Sequence, residues 1–144
     1  MSTTNFSGPV ASSNGFQSGS GSVLTPTAAT TLTSADNGKT VMLNASVGFT
    51  ITLPAHSAGL SFKFITGAVF ATTNFVIIAP TAGLDTLEGS LIVAGAVVTV
   101  NAADQINFVA TAENIGDFVT LFSDGATWHI FGNALSTGAI TATG

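Results

Sequence analysis

Apolar and polar side chains alternate in short runs through most of this chain. FTITL at 49–53 sets Phe49, Ile51 and Leu53 on one side and two threonines on the other, the period of two that marks a half-buried strand. LSFKF at 60–64 repeats the pattern, with Leu60, Phe62 and Phe64 opposite Ser61 and Lys63. Further β-rich runs are KTVML (39–43), NFVII (74–78), SLIVA (90–94), AVVTV (96–100), QINFVA (105–110), DFVTLF (117–122) and TWHIF (127–131). Turn-forming stretches separate them: ADNG, LPAHSAG, APTAGLD, AADQ, AENIGD and SDG. No helical periodicity lasts beyond one turn. Short strands at roughly ten-residue spacing predict an all-β domain, an antiparallel β-sandwich or barrel.

The pattern fades toward both ends. Residues 1–35 carry no charged side chain, include SGSGS at 18–22, and space their apolar residues without strand or helix period. They are expected to form an extended N-terminal arm ahead of a β domain at 36–134. Such a segment buries too little apolar surface to order itself and must lie against something else. Its anchors would be Phe6, Pro9, Val10, Phe16, Val23 and Leu24. Residues 135–144, LSTGAITATG, are uncharged again and read as a C-terminal tail or an edge strand.

SDGATWHIFG at 123–132 is the most reactive-looking stretch, with Asp124 and His129 beside the only tryptophan. Asp-Gly between two alternating runs is a hairpin signal. In the second strand Trp128 and Ile130 share one face, and His129 and Phe131 take the other. Asp124 then sits in the turn, where its carboxylate accepts local backbone hydrogen bonds. The stretch reads as architecture. The remaining acids fall at turns or strand edges too, without the converging pair that acid–base catalysis needs. Asp85 and Glu88 lack the dense oxygen spacing of a calcium loop. NGKT at 37–40 has neither the earlier glycine nor the following helix of a phosphate loop. His56 has no ligand partner at zinc spacing, and Ser57 has no nucleophile-elbow setting. No enzyme, metal, cofactor or small-molecule substrate is therefore expected.

Composition sharpens the picture. Only 6% of the 144 residues are charged while 46% are hydrophobic, against about 25% charged in an average domain. Polarity comes instead from 22 Thr and 14 Ser. Depletion of charge marks surfaces that other subunits cover. The net charge of −5, with two lysines, excludes the clustered cations that nucleic acid demands. The longest apolar run, LIVAGAVVTV at 91–100, is about half the length that crosses a bilayer as a helix, and no membrane association is expected. The first residues lack the charged and apolar regions of a secretory signal.

Three segments carry a resemblance. NFSGPVASSNGF at 5–16 resembles the leader of small virion proteins of tailed bacteriophages. LTSADNGKTVMLNASVGFTITLP at 32–54 is similar to a recurring phage module of turn, extended strand and Thr-alternating strand ending in Leu-Pro. GDFVTLFSDGATWHIFGNA at 116–134 resembles the closing hairpin of that module. The resemblance implies a structural virion protein, most like a capsid decoration (cement) protein. It would be a homotrimer on the outer surface of the head, clamping joints between major capsid protein subunits with arm and domain face. A short tail-fibre or receptor-binding component is the alternative. The family motifs carry no catalytic residues.

Overall fold

The computed structural model describes residues 22–84 and 86–144. These form an all-β structure of two packed, mixed sheets. The strands are β1 (Val23–Leu24), β2 (Thr30–Thr31), β3 (Thr40–Leu43), β4 (Thr50–Thr52), β5 (Ser61–Thr66), β6 (Phe75–Ile78), β7 (Leu87–Val93), β8 (Ala96–Ala103), β9 (Gln105–Phe108), β10 (Phe118–Ser123), β11 (Trp128–Ala134) and β12 (Ile140–Thr143). Every run that alternation marked is a strand. β1, β2 and β12 are additions from the two weakly patterned ends.

One sheet has seven strands in the order β1-β3-β5-β10-β11-β7-β8, the other five in the order β12-β9-β6-β4-β2. The expectation of a purely antiparallel sheet is corrected here. β1–β3, β3–β5, β2–β4, β4–β6 and β7–β11 pair in parallel. The physical reason is the winding of the first half. From β1 to β6 the chain crosses to the opposite sheet after every strand. Each return to a sheet therefore completes a coil and runs in the original direction. The second half folds back, and β5–β10, β10–β11, β7–β8, β6–β9 and β9–β12 are antiparallel.

Between the sheets lies one apolar core. The seven-stranded sheet supplies Val41, Phe62, Phe64, Leu91, Val119, Leu121, Trp128 and Ile130. The five-stranded sheet supplies Ile51, Phe75, Ile77, Ile106, Phe108 and Ile140. Trp128 packs on Phe62 at 5.9 Å between ring centroids, and Phe75 meets both Phe49 and Phe70 edge-on at 4.8 Å. Each such side chain contributes about 1.5–3 kcal/mol when fully buried. Leu32, between β2 and the 3₁₀ turn Ser34–Asp36, is also buried in this core. Residues 22–35, which composition groups with the uncharged leader, thus give one edge strand to each sheet.

Gly132 shows how tight the inner surface is. It lies in register between Val119 and Leu91. A Cβ there would stand 2.5 Å from the Phe118 carbonyl oxygen and 2.8 Å from Val119 Cγ1.

Candidate functional site

The register of the seven-stranded sheet lines up its outward side chains in rows. One row runs Met42, Ile65, Phe118, Asn133, Ile92 and Val97, from β3 to β8. The next runs Thr40, Lys63, Thr120, Phe131, Ser90 and Thr99, with Val23 beside Thr40 on β1. A third holds Ser61, Phe122, His129 and Glu88. Phe131 is 55% exposed, Phe122 47% and Val97 74%. Phe118 meets Phe131 edge-on at 6.3 Å, and the Lys63 ammonium stands 4.9 Å over the Phe118 ring. The lysine stem thus lies along an aromatic surface instead of extending into water. This face presents rings and branched aliphatics from five adjacent strands, β5, β10, β11, β7 and β8, a patch of the kind that marks a protein contact.

The carboxylates are committed to the backbone. All six carboxylates among the described residues accept backbone N–H groups. Asp36 accepts from Thr33, Glu88 from Ala102, Asp104 from Gly83 and Glu113 from Phe70, at 2.7–2.9 Å. Asp117 accepts from Asn114 and Leu135, and Asp124 from Ala126 and Thr127. Each ties a loop to itself or to a neighbouring strand.

The hairpin at Asp124 forms as alternation predicts. Ser123 pairs with Trp128, Trp128 is fully buried, and His129 faces out. His129 Nε2 lies 2.9 Å from Asp124 Oδ2, with both side chains about half exposed. The hydrogen bond from His129 comes first, and those from the Ala126 and Thr127 N–H groups next, in holding the Asp124 carboxyl far below the usual carboxylate range. His129 stands in the third row of the face between Phe122 and Glu88, and the Asp124 carboxylate is already occupied by the turn. Asp36 is likewise lowered, first by the Lys39 ammonium at 2.7 Å and then by Thr33. That contact also occupies the lysine of NGKT, and β3 follows it where a phosphate loop would have a helix.

Glu113 is, with Asp117, one of two buried acids among the described residues. One oxygen accepts from Phe70 N, while the other is buried without a partner. It borders a cleft of about 350 Å³ lined by Ser46, Val69, Phe70, Ala71 and Thr111. Among the described residues no second acid, imidazole or lysine lines that cleft. Among the described residues no group of three or more His, Asp or Glu could hold a metal ion.

Comparison with protein-family models, with curated proteins and with solved structures finds no match to this chain. The geometry of the face therefore carries the functional reading.

Of the anchors expected in the arm, Phe6, Pro9, Val10 and Phe16 lie outside the described residues, as does Asp85. Val23 is half exposed at the rim of the apolar face, whereas Leu24 packs against the core. Sequence reasoning placed contact residues at the N-terminus and did not name those of the face. A signal for them was present. SLIVA, AVVTV and DFVTLF are apolar at positions on both sides of the strand, the composition of strands covered on both faces.

Proposed function

We propose that this chain is a structural component of a tailed-bacteriophage virion. It acts as a capsid decoration protein on the outer surface of the head. The outer face of the seven-stranded sheet docks on the major capsid protein and stabilises joints between its subunits. Residues 1–21, with Phe6, Pro9, Val10 and Phe16, form the second contact. The observation that supports this reading is the aromatic and aliphatic face built on Phe118, Phe122, Phe131, Ile65, Ile92 and Val97. Burying it removes apolar area from water at about 25 cal/mol per Å², which none of the described residues achieves. Three copies joined as a trimer would multiply each contact into a far higher avidity.

The test is reconstitution on heads that lack this protein. Added wild-type chain should bind in hundreds of copies per particle and raise the temperature at which heads rupture. Phe122→Ser with Phe131→Ser should remain folded and fail to bind. Location of the chain at a few copies on the tail would replace this reading by the tail-fibre or receptor-binding one.

A further inference from the structure

The seven-stranded sheet ends at β8, which pairs with β7 alone. The two strands are joined by the two-residue turn Ala94–Gly95, with φ of 50° and 80°, as in a type I′ hairpin. Val93 and Ala96 are then the hydrogen-bonded closing pair, and the ladder alternates from there. Ala96, Val98 and Val100 direct their backbone groups to β7. Those of Val97 and Thr99 point away from the sheet, at its open edge.

Such edges are normally blunted by lysine, proline, a bulge or short length. β8 is eight residues long, and from Gly89 to Ala103 the chain has no charged residue and no proline. Its irregularities, a register shift between Leu87 and Gly89 and a positive φ at Ala102, lie beyond the regular pairing at 96–100. Both flanks of the edge are apolar. Val97 continues the outer face. Val98 turns the other way, into a cleft of about 450 Å³ shared with Val93, Ala96, Ile140 and Ala142 between β8 and β12.

We propose that β8 is a strand-addition edge whose occupant is β8 of a second copy, antiparallel about a two-fold axis through Val98. An axis normal to the sheet keeps each side chain on its own face. It opposes Val98 to itself, Val97 to Thr99 and Ala96 to Val100. Because Val97 and Thr99 both direct their backbone outward, these pairs exchange about four hydrogen bonds. β-branched residues meet one another across the seam, a favourable cross-strand pairing. No like charges meet, because the edge has none; an acid or lysine on β8 would have faced its own copy. The strand edge is continuous with the apolar face, so the two faces become one and the two clefts meet at the seam. Residues 1–21 fit this edge less well. They join the domain at β1, the opposite end of the sheet, and are broken by Gly8, Pro9, Gly15, Gly19 and Gly21. The inference is independent of the virion reading, since it concerns only copies of this chain.

A single engineered cysteine tests it, because the chain has none of its own. Non-hydrogen-bonded antiparallel partners stand about 4.5 Å apart at Cα, within disulfide reach. Oxidised Val98→Cys should therefore run at twice the chain mass on a non-reducing denaturing gel and return to chain mass with reductant. Val47→Cys, in the exposed loop between β3 and β4, should stay at chain mass. Val97→Lys, at a side chain 74% exposed, should halve the sedimenting mass of the native protein, whether the unit joined is one chain or a ring. Adding Thr99→Pro removes an outward N–H and should complete that dissociation. Val98→Cys that stays at chain mass overturns the proposal. So does loss of association on deleting residues 1–21 when Val97→Lys leaves it intact, an outcome that would make the leader the occupant.

Discussion

The outward faces of the two sheets come from the same alternating strands and become opposite surfaces. On the five-stranded sheet the outward positions are Thr31, Thr52 and Thr50, Val76 and Ile78, Gln105 and Asn107, Thr141 and Thr143. Gln105 donates to Asn107 at 3.0 Å, and Asn107 donates to Thr143 at 3.3 Å and to Thr141 at 3.5 Å. This face satisfies itself and water. On the seven-stranded sheet the outward rows set Phe, Ile, Val and Met among Thr and Ser, with Lys63, His129 and Glu88 on the same face. Hydroxyls let a nearly uncharged chain remain hydrated on one side, while the other side gains free energy only by being covered. Scarcity of charge is therefore not one property spread over the whole chain. It has two local solutions, and they point in different directions.

The comparison breaks most readily at the rings. Phe122→Ser and Phe131→Ser should each cost about 1–2 kcal/mol of partner affinity, up to thirtyfold, read by titration of decorated heads. The thermal midpoint of the free protein should hardly move. Equal binding by the double variant would end the distinction between the faces. A comparable effect, on stability and not on binding, is expected inside the seven-stranded sheet. Gly132→Ala should lower unfolding free energy by about 1–3 kcal/mol in denaturant titration, since the added methyl has backbone and core neighbours too close to yield.

On the hydrogen-bonded face, Asn107→Ala removes three side-chain contacts and should cost about 1 kcal/mol of stability. Head binding should be unchanged, and a loss of binding would show that this face is also a contact. Acid should have the smallest effect. The carboxyls of Asp36 and Asp124 are both lowered in the folded chain. Their contribution is present above the unfolded carboxyl value, about pH 4, and is lost as pH falls through the folded values. Water screens both groups, so the denaturant midpoint at pH 3 should fall only slightly below that at pH 7. Asp124→Asn should shrink that small difference, and an unchanged pH response would remove Asp124 from the account.

Much of the fold is legible in the sequence, and particular residues show where legibility stops. Phe62 and Phe64 announce their strand because Ser61 and Lys63 alternate with them. Asp124-Gly125 announces its hairpin because few residues suit that turn. The parallel pairing of β3 with β5 leaves no such mark, since period two is identical whichever way a neighbour runs. β1 and β2, two residues each, are too short for any period. The apolar face was half legible. Ile92 and Val97 break strict alternation, but nothing local says that their row continues through Phe118 to Ile65.

By itself the sequence determined where nine of the twelve strands lie, which side of most of them is dry, and that ionised groups would be too few to coat the surface. Only the tertiary structure decided which strands became neighbours, and so which outward side chains merged into a patch. Alternation specifies the wet and dry sides of one strand because that depends on the chain's own pleat. Adjacency depends on the path between strands, here a coil that gives way to two hairpins, β7–β8 and β10–β11. That path sets β5, β10, β11 and β7 side by side and leaves β8 at an open edge.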